Sequence, residues 1–361
     1  MNAIIRKMCA SVLVVSLLSG NVAPIKAEST KADVDNEQLV LNITGTEEIN
    51  SYISSDKDSV LVADGYELLI DVPQDASEPI YATDGLGEDM KMNLPIQANN
   101  MEPELTRNGT VMYSNAESDV SFNVEPLQVI GNNEQTLEGL RTSIIIDNAD
   151  CPKEYKFSFD LQEGEKFVTA KEIFGEEYDT GEIFIVDKEN NIKYVFDPAW
   201  AKDANGKNIN SYYKVNGNTL VQVVSFDEHT AFPVIADPSW WQITKCVAAV
   251  GAVVAGTIFS VAKIAKIKKY IKALGGMREA VMLMMGATSF AEKGAEVTKA
   301  LGNLCAAILG VDTIIDNCPG IKSTYNQFIY ITFFDKKQYK SDKWAFFRHE
   351  MHIKTLTAIM P

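Results

Sequence analysis

The chain has 361 residues and carries 33 basic against 49 acidic side chains, a net charge of −16. Its length predicts about two domains, and a hydrophobic content of 46% excludes a disordered acidic chain. The acidity excludes a nucleic-acid partner for the whole protein, because phosphate binding needs a basic face. Three histidines provide little material for a metal site or an acid–base catalyst. We therefore expect a secreted protein that is not an enzyme and uses no metal or cofactor.

Residues 1–27 have the pattern of a secretory signal peptide. A basic pair precedes an apolar stretch at 8–18, which is too short to span a bilayer and is followed by small residues. The predicted cut lies between Ala27 and Glu28. A retained amphipathic helix is the alternative. Export would place the mature protein outside the cell.

The acidic part of the mature chain predicts strands. Residues 28–110 form an acidic segment that contains a hairpin with an Asp-Gly turn at 64–65. Over residues 111–237, apolar and polar residues alternate with a period of two. Asn-Gly dipeptides at 205–206 and 216–217 supply tight turns between short apolar runs. This pattern predicts an antiparallel β-sandwich over 111–237.

Charge and proline place a domain boundary after this region. Residues 28–241 carry 14 basic and 41 acidic side chains, a net charge of −27, whereas residues 242–361 carry 16 and 8, a net charge of +8. Pro238 lacks a backbone donor and biases Asp237 toward extended geometry. We therefore expect an extended, loosely held connector at Asp237-Pro238, where a processing protease cuts.

The pattern becomes helical after residue 245. Residues 246–262 contain no charged side chain, and a lysine-rich stretch at 263–272 follows and ends at a Gly-Gly pair. Further helices are predicted over 278–285 and from 289 toward 304, the latter opened by a capping box. These patterns predict a small helical bundle.

The charge-free stretch and the lysines predict contact with a membrane. Its 17 residues stand at the lower limit for a spanning helix, so a buried bundle helix is the alternative in solution. Lysines beside an apolar helix are attracted to anionic lipid by about 1 kcal/mol per charge, although a solvated face is the alternative. We assign adsorption to Lys263, Lys266, Lys268, Lys269 and Lys272, and insertion to Val250, Val253, Val254, Ile258 and Phe259.

The predicted mature chain holds four cysteines, an even number that suggests pairing in an exported protein. Cys246 and Cys318 bracket the helical region, and their bridge would close a loop of about 70 residues, worth roughly 4 kcal/mol in the chain-entropy model. We predict this pairing, with Cys305 as a buried thiol and Cys151 free. A bridge between Cys151 and Cys305 is the less favoured alternative.

The fold class predicted from these patterns is α+β in separate domains. An N-terminal antiparallel β-sandwich precedes a small helical bundle with a disulfide at 238–318, and the basic, aromatic tail 319–361 has no predicted structure.

The helical region resembles the closticin-type bacteriocins over about residues 238–318. Such bacteriocins are made by Gram-positive bacteria as the C-terminal part of a larger secreted precursor and are released by proteolysis. This chain departs from the pattern in its 43 residues beyond Cys318 and in Cys305. The residues that carry the resemblance are Cys246, Ala262-Lys263, Ile267-Lys268-Lys269-Tyr270-Ile271, Leu274-Gly275-Gly276, Gly286-Ala287-Thr288, Glu292-Lys293, Ala300-Leu301, Gly310-Val311 and Asn317-Cys318.

The upstream segment from Asp197 to Pro238 is similar to a β-rich domain of many uncharacterised secreted Gram-positive proteins. Together the resemblances imply a secreted bacteriocin precursor whose acidic domain neutralises and inhibits the basic helical part. Its expected partners are an anionic target membrane, a processing protease and an immunity protein. The alternative is a non-toxic secreted or cell-surface protein with a structural or partner-binding helical module.

Overall fold

The computed structural model describes most of the chain between residues 53 and 308. The predicted signal peptide, both Cys246 and Cys318, and nearly all of the tail lie outside the described residues. The described ranges are residue 40, 53–55, 57–65, 68–85, 89–106, 109–131, 136–242, 250–251, 261–286, 294–308 and 324–325.

Strands dominate the described chain up to residue 242, and helices follow from residue 261. The strands are β1 (Ile53–Ser54), β2 (Ser59–Asp64), β3 (Leu69–Pro73), β4 (Ile80–Thr83), β5 (Asp89–Asn93), β6 (Glu102–Leu105), β7 (Val111–Ser114), β8 (Val120–Ile130), β9 (Thr136–Ile146), β10 (Glu154–Phe159), β11 (Lys166–Thr169), β12 (Ile183–Val186), β13 (Ile192–Phe196), β14 (Trp200–Lys202), β15 (Asn208–Ile209), β16 (Ser211–Asn216), β17 (Thr219–Val224), β18 (Val234–Asp237) and β19 (Ser239–Gln242). The helices are α1 (Ala170–Phe174), α2 (Val261–Leu274), α3 (Met277–Met285) and α4 (Ala295–Ile308), with single 3-10 turns at Ile96–Ala98 and Glu176–Tyr178.

The strands form two antiparallel sheets that pack face to face. The eight-stranded sheet has the order β1-β2-β3-β4-β5-β10-β17-β16. The eleven-stranded sheet has the order β11-β12-β13-β19-β9-β18-β14-β15, and β8, β7 and β6 extend it from the other edge of β9. One apolar core, including Ile70, Phe122, Leu140 and Phe157, fills the space between the sheets. The predicted antiparallel β architecture is confirmed.

The sheets begin well before residue 111. Strands β3 to β5 alternate buried and less buried positions and lie with β2 in the eight-stranded sheet, while β6 and β7 belong to the other sheet. The predicted boundary after residue 110 therefore does not separate two domains, because both sides supply strands to one core. The hairpin turn at 64–65 is confirmed by the antiparallel pairing of β2 with β3. At the predicted Asn-Gly turns, Gly206 and Gly217 have φ of 74° and 59°.

Helices α2 to α4 form a third layer on the outer face of the eleven-stranded sheet. A second core joins sheet residues such as Phe184 and Val195 to helix residues such as Ile271 and Leu301. Consecutive tryptophans of β19 lie in different cores, since Trp240 faces the core between the sheets and Trp241 faces the helices. The prediction of a separate helical domain from residue 238 is wrong, because β19 is a strand of the sheet on which the helices pack.

The local helix predictions are confirmed at two of three positions. Helix α2 ends at the predicted Gly-Gly pair, where Gly275 and Gly276 adopt φ of 103° and 127°. Helix α3 begins one residue before its predicted start at 278. Helix α4 covers Ala295–Ile308 and follows Gly294, whose φ of 91° is outside the helical range, and the predicted capping box at 289–292 lies outside the described residues.

Candidate functional site

The expected connector at Asp237-Pro238 lies inside the eleven-stranded sheet. Strand β18 pairs with the second half of β9 and β19 with its first half, in the same register on both sides of Pro238. The Pro238 carbonyl accepts a hydrogen bond from the Thr142 backbone N–H at 3.2 Å. Asp237 and Pro238 are both buried. The expectation of a loosely held connector is therefore wrong, because ladder hydrogen bonds continue past the one donor that proline removes.

A loop that connects β13 to β14 lies beside this junction and contains a second Asp-Pro dipeptide, Asp197-Pro198. The Asp197 backbone N–H donates to the Ser239 carbonyl at 3.0 Å, and Trp200 pairs with Asp237. Between this loop, the sheet and the start of α3 is a cleft of about 470 Å³, which we call the polar cleft. It is lined by Arg141, Glu182, Asp197, Pro198, Ala199, Trp200, Lys202, Asp237, Ser239, Gly275, Arg278 and Glu279.

A buried charge cluster forms the sheet side of the polar cleft. Arg141 of β9 donates from Nε to Asp237 Oδ2 at 3.2 Å and from Nη1 to Glu125 Oε2 at 3.3 Å. The Ser239 hydroxyl donates to Asp237 Oδ1 at 2.7 Å. One guanidinium thus lies between two buried carboxyl groups. Burial raises the pKa of Asp237 to about 7, although the Arg141 charge and the Ser239 hydrogen bond act in the opposite direction.

Glu182 forms the helix side of the polar cleft. Its carboxylate accepts hydrogen bonds from the Met277 backbone N–H at 2.8 and 2.9 Å and from the Arg278 backbone N–H at 3.2 Å. These donors are the first free N–H groups of α3, so Glu182 caps that helix from the sheet. Burial raises the pKa of Glu182 to about 7 despite these hydrogen bonds. Gly276 permits the approach, since a Cβ there would lie 2.6 Å from the Glu182 carboxyl group.

Arg278 joins α3 to both cleft walls. Its guanidinium donates to Asp197 Oδ2 at 3.0 Å and lies 4.5 Å from the centre of the Trp241 ring. The Trp241 indole N–H donates to the same carboxylate oxygen at 3.0 Å. The loop carboxylate, the sheet tryptophan and the helix arginine therefore form one contact between the sheet and the helical layer.

Two of the five predicted adsorbing lysines contact the acidic part of the chain. Lys268 donates from Nζ to the Ile173 and Phe174 carbonyls, both at 3.1 Å, and Lys272 donates to the Glu177 carbonyl at 2.7 Å. Burial lowers the pKa of Lys268. Lys266 and Lys269 are exposed and Lys263 is half-buried. Lys268 and Lys272 are thus held by α1 and the turn after it, whereas Lys266 and Lys269 face solvent.

Of the five predicted inserting residues, the structure describes Val250, which is buried in the core under the helices. Val253, Val254, Ile258 and Phe259 lie outside the described residues. None of the helices within the described ranges is long and apolar enough to cross a membrane.

The described cysteines, Cys151 and Cys305, are both free. The less favoured alternative of a bridge between them is therefore wrong, and burial raises the pKa of the Cys305 thiol to about 12. The favoured pair, Cys246 and Cys318, lies outside the described residues, so that bridge stays a prediction. The predicted signal cleavage at Ala27 and Glu28 also lies outside them. In the part of the chain that the structure describes, no three potential ligands are placed to hold a metal ion.

Sequence reasoning missed the polar cleft. Glu182 directly precedes the apolar strand β12, and Arg141 lies next to Leu140 in β9, a strand that ends in three isoleucines. A charge beside or within a predicted buried strand is the signal that the sequence offers, because a charged side chain is seldom fully buried without a partner. The tail also contributes to the helical layer, since Thr324 donates to the Met284 carbonyl at 3.0 Å.

No protein-family model and no curated protein matches this chain.

Proposed function

We propose that the chain is a secreted bacteriocin precursor, and that its C-terminal helical part permeabilises bacterial membranes once it separates from the sheets. The observation that carries the proposal is the environment of α2. This helix has five lysines and no acidic residue, yet its apolar face is covered by the sheet and by α4. A basic amphipathic helix binds anionic membranes through its apolar face and its lysines, so covering that face would keep α2 inactive.

The hydrogen bonds of Lys268 and Lys272 support inhibition by the chain's own N-terminal part. Both ammonium groups bind carbonyls at the end of α1 and of the turn after it, where the partial charge of a helix C-terminus is negative. Full-length protein would therefore have both the apolar face and part of the charge of α2 occupied. A net charge of −27 over residues 28–241 would also repel an anionic membrane.

Release in this proposal needs two events, because β19 belongs to the sheet. The chain must be cut, and β19 with the helices must then leave the outer face of the sheet. The predicted cut at Asp237-Pro238 breaks the chain between β18 and β19 but leaves the ladder contacts of β19 with β9 and β13 in place. A target membrane would favour the second event by offering the apolar face of α2 another partner.

The second candidate is a non-toxic secreted or surface protein in which the helices are a permanent structural layer. The continuous core between the helices and the outer face of the sheet favours it, because separation would expose Phe184, Val195 and Trp241 together. The two candidates differ in whether the helical part acts on a membrane after separation.

Dye release from vesicles rich in anionic lipid tests the proposal. Chain lacking residues 1–27 should be inactive, and a fragment beginning at Pro238 should release dye. Replacing Lys268 and Lys272 with glutamine should lower the activity of the fragment as much as replacing the matched pair Lys266 and Lys269. A fragment without activity on anionic vesicles would support the structural alternative.

A further inference from the structure

The eight-stranded sheet ends at β16, and this edge differs from the other sheet edges of the described chain. Strands β1 and β15 have two residues each, while β11 and β6 have four, with Pro103 inside β6. Strand β16 has six residues, contains no proline and pairs with β17 without a bulge. Proteins usually shorten or interrupt a free edge, because its unpaired backbone groups attract another strand. The edge at β16 is neither shortened nor interrupted.

Exposed apolar side chains are concentrated on this strand. Of the four large hydrophobic side chains that are exposed in the described chain, two lie on β16: Tyr212 is 45% exposed and Val215 is 39% exposed. Val215 pairs with Leu220 of β17, which is fully buried. Among the described strands, none pairs with the other side of β16. The edge therefore combines a free backbone with uncovered apolar surface.

We propose that β16 pairs with β16 of a second copy of this chain, so that two eight-stranded sheets join edge to edge in a symmetric dimer. The partner is a second copy because the strand is complementary to itself in the register that its free backbone groups select. The inference does not depend on the precursor function, since β16 lies in the sheet that does not carry the helices.

The turn that follows β16 determines which of its backbone groups are free. Asn216 pairs with Thr219 across the two-residue turn at 217–218, and the residues beside such a turn exchange both ladder hydrogen bonds. Hydrogen-bonded pairs recur at every second residue, in agreement with the bond from the Ser225 N–H to the Asn210 carbonyl at 2.9 Å. The free edge therefore presents the N–H and C=O groups of the three odd-numbered residues: Ser211, Tyr213 and Val215.

These free groups and the charge of Lys214 select one register for the dimer. Antiparallel pairing centred on Tyr213 uses all three free residues of each copy, because Ser211 then lies opposite Val215 of the second copy. A register centred on Tyr212 or on Lys214 uses two of the three. The register centred on Lys214 also places two lysines directly opposite each other, which destabilises the pair.

The side chains fit the register centred on Tyr213. Lys214 of each copy lies opposite Tyr212 of the second copy, in a non-hydrogen-bonded pair, where side chains are closest. Within one chain the Lys214 ammonium group lies 5.9 Å from the centre of the Tyr212 ring, so each ring would lie between two lysines. Glu154 accepts from Lys214 at 2.7 Å and offsets its charge. Val215 would be covered by Ser211 and Tyr213 of the second copy.

The size of the contact determines how tightly the copies bind. One pair of six-residue strands buries little surface, so we expect a reversible dimer and not a permanent one. The pairing is two-fold symmetric and occupies the free edge of both copies, so association should stop at two.

Sedimentation equilibrium of chain lacking residues 1–27, over a range of protein concentrations, tests the proposal. We expect a reversible equilibrium between monomer and dimer with no larger species. Val215→Pro removes a backbone N–H that points away from β17, so it should leave the fold intact and weaken dimerisation about tenfold or more. Monomer alone at concentrations up to about 1 mM, or unchanged dimerisation of a folded Val215→Pro variant, would overturn the proposal.

Ile96 provides a control for exposed apolar surface in general. It lies in the turn at Ile96–Ala98, away from β16 in the sequence, and is 77% exposed. Ile96→Lys should therefore dimerise like the parent chain. Loss of the dimer in this variant would place the contact elsewhere and contradict the assignment to β16.

Two substitutions of Tyr212 test the register, and they remain informative if Val215→Pro fails to fold. Tyr212→Lys places like charges opposite each other at two positions of the dimer and should weaken dimerisation about tenfold. Tyr212→Glu places a carboxylate opposite Lys214 of the second copy at the same two positions and should strengthen dimerisation. Circular dichroism checks that both variants are folded. Equal weakening by the two substitutions, or no effect of either, would overturn the proposal.

Discussion

The two apolar cores on opposite faces of the eleven-stranded sheet differ in the side chains that fill them. Between the sheets, aromatic rings meet edge to face, as where Phe159 lies 5.2 Å from Phe167 and 5.4 Å from Phe196. Under the helices, α3 contributes four buried methionines: Met277, Met282, Met284 and Met285. Methionine side chains adapt to irregular spaces and specify one packing less strictly than aromatic rings do.

The two cores also differ in the buried charges at their edges. The core under the helices borders the polar cleft, where Glu182 and Asp237 are fully buried and their pKa values are raised by that burial. Burying the Glu182 carboxylate costs free energy at neutral pH, so we expect the packing of the helices on the sheet to be less stable than the packing between the two sheets. We therefore expect the sheets to persist while the helical layer opens, which is the order that the proposed release requires.

Substituting the adjacent tryptophans of β19 gives the largest expected effect and tests whether the helical layer opens separately from the sheets. Trp240→Ala removes a buried ring that lies 5.6 Å from the Tyr194 ring between the sheets, and should lower the free energy of unfolding by about 3–5 kcal/mol. Trp241→Ala removes a ring from under the helices together with its contacts to Asp197 and Arg278. Hydrogen exchange should then accelerate in α2 and α3 while β10 and β17 stay protected. If both variants accelerate exchange throughout, the two cores form one cooperative unit.

Local periodicity was enough to predict the elements but not their partners. The alternation in β10, the apolar run of β17, the Asn-Gly turns and the Gly-Gly end of α2 are all properties of neighbouring residues, so the sequence predicts them. The position of Pro238 depends on β9, which is distant in the chain and supplies the Thr142 N–H that the Pro238 carbonyl accepts. A rule about proline alone therefore predicts an end where the sheet continues.

The polar cleft likewise depends on contacts between distant parts of the chain, which neighbouring residues do not predict. The burial of Glu182 is set by the approach of Gly276, and the role of Arg278 is set by Asp197 and Trp241. In the sequence, Gly276 is explained fully by its function as a helix terminator. Its second function, leaving space for a carboxylate from another part of the chain, becomes visible only after the sheet and the helices are packed.

The Gly-Gly pair provides the next test of the helical layer. Both glycines have φ values that favour glycine, but a Cβ at Gly276 would lie 2.6 Å from Glu182, whereas one at Gly275 makes only ordinary contact with Glu279 at 3.7 Å. Gly275→Ala should cost about 1–2 kcal/mol from backbone strain alone. Gly276→Ala should cost about 1–2 kcal/mol more, since the cap of α3 is displaced as well. Urea unfolding of the two variants measures the difference, and equal costs would contradict the capping function of Glu182.

Glu182 predicts a pH dependence of stability with a defined sign. Its pKa is about 7 in the folded chain against an ordinary glutamate value of 4.5, so the folded state binds more protons between these two pH values. Stability from this group should therefore rise as pH falls from about 8 to about 5 and be lost as pH rises through 7. Glu182→Gln mimics the neutral form and should stabilise the chain on the order of 2 kcal/mol at about pH 8, with little effect at about pH 5.

Glu172, a carboxyl group whose pKa is shifted in the opposite direction, provides the control for this measurement. Hydrogen bonds from Thr169 lower the pKa of Glu172, the capping-box residue of α1, so Glu172→Gln should not stabilise the chain at alkaline pH. Thermal unfolding of the parent and both variants at the two pH values provides the comparison. A Glu182→Gln variant that loses stability at alkaline pH would show that the ionised carboxylate contributes more as a cap than its burial costs.

The smallest expected effect concerns the lysines of α2. Lys268→Gln removes two hydrogen bonds to carbonyls at the end of α1 and should lower the stability of full-length chain by about 1 kcal/mol. Lys269→Gln, at the next position and exposed, should change stability by less than about 0.5 kcal/mol.

The same two variants should behave alike once the helical part is separate. Both remove one positive charge from α2, so each should weaken binding of the fragment to anionic vesicles by about 1 kcal/mol, roughly fivefold in affinity. Unfolding of full-length chain and vesicle binding of the fragment therefore give different rankings of one pair of substitutions. If the two variants differ in vesicle binding as fragments, Lys268 has a function beyond its contact with α1. If they do not differ in the stability of full-length chain, the contact of Lys268 with α1 does not restrain this helix.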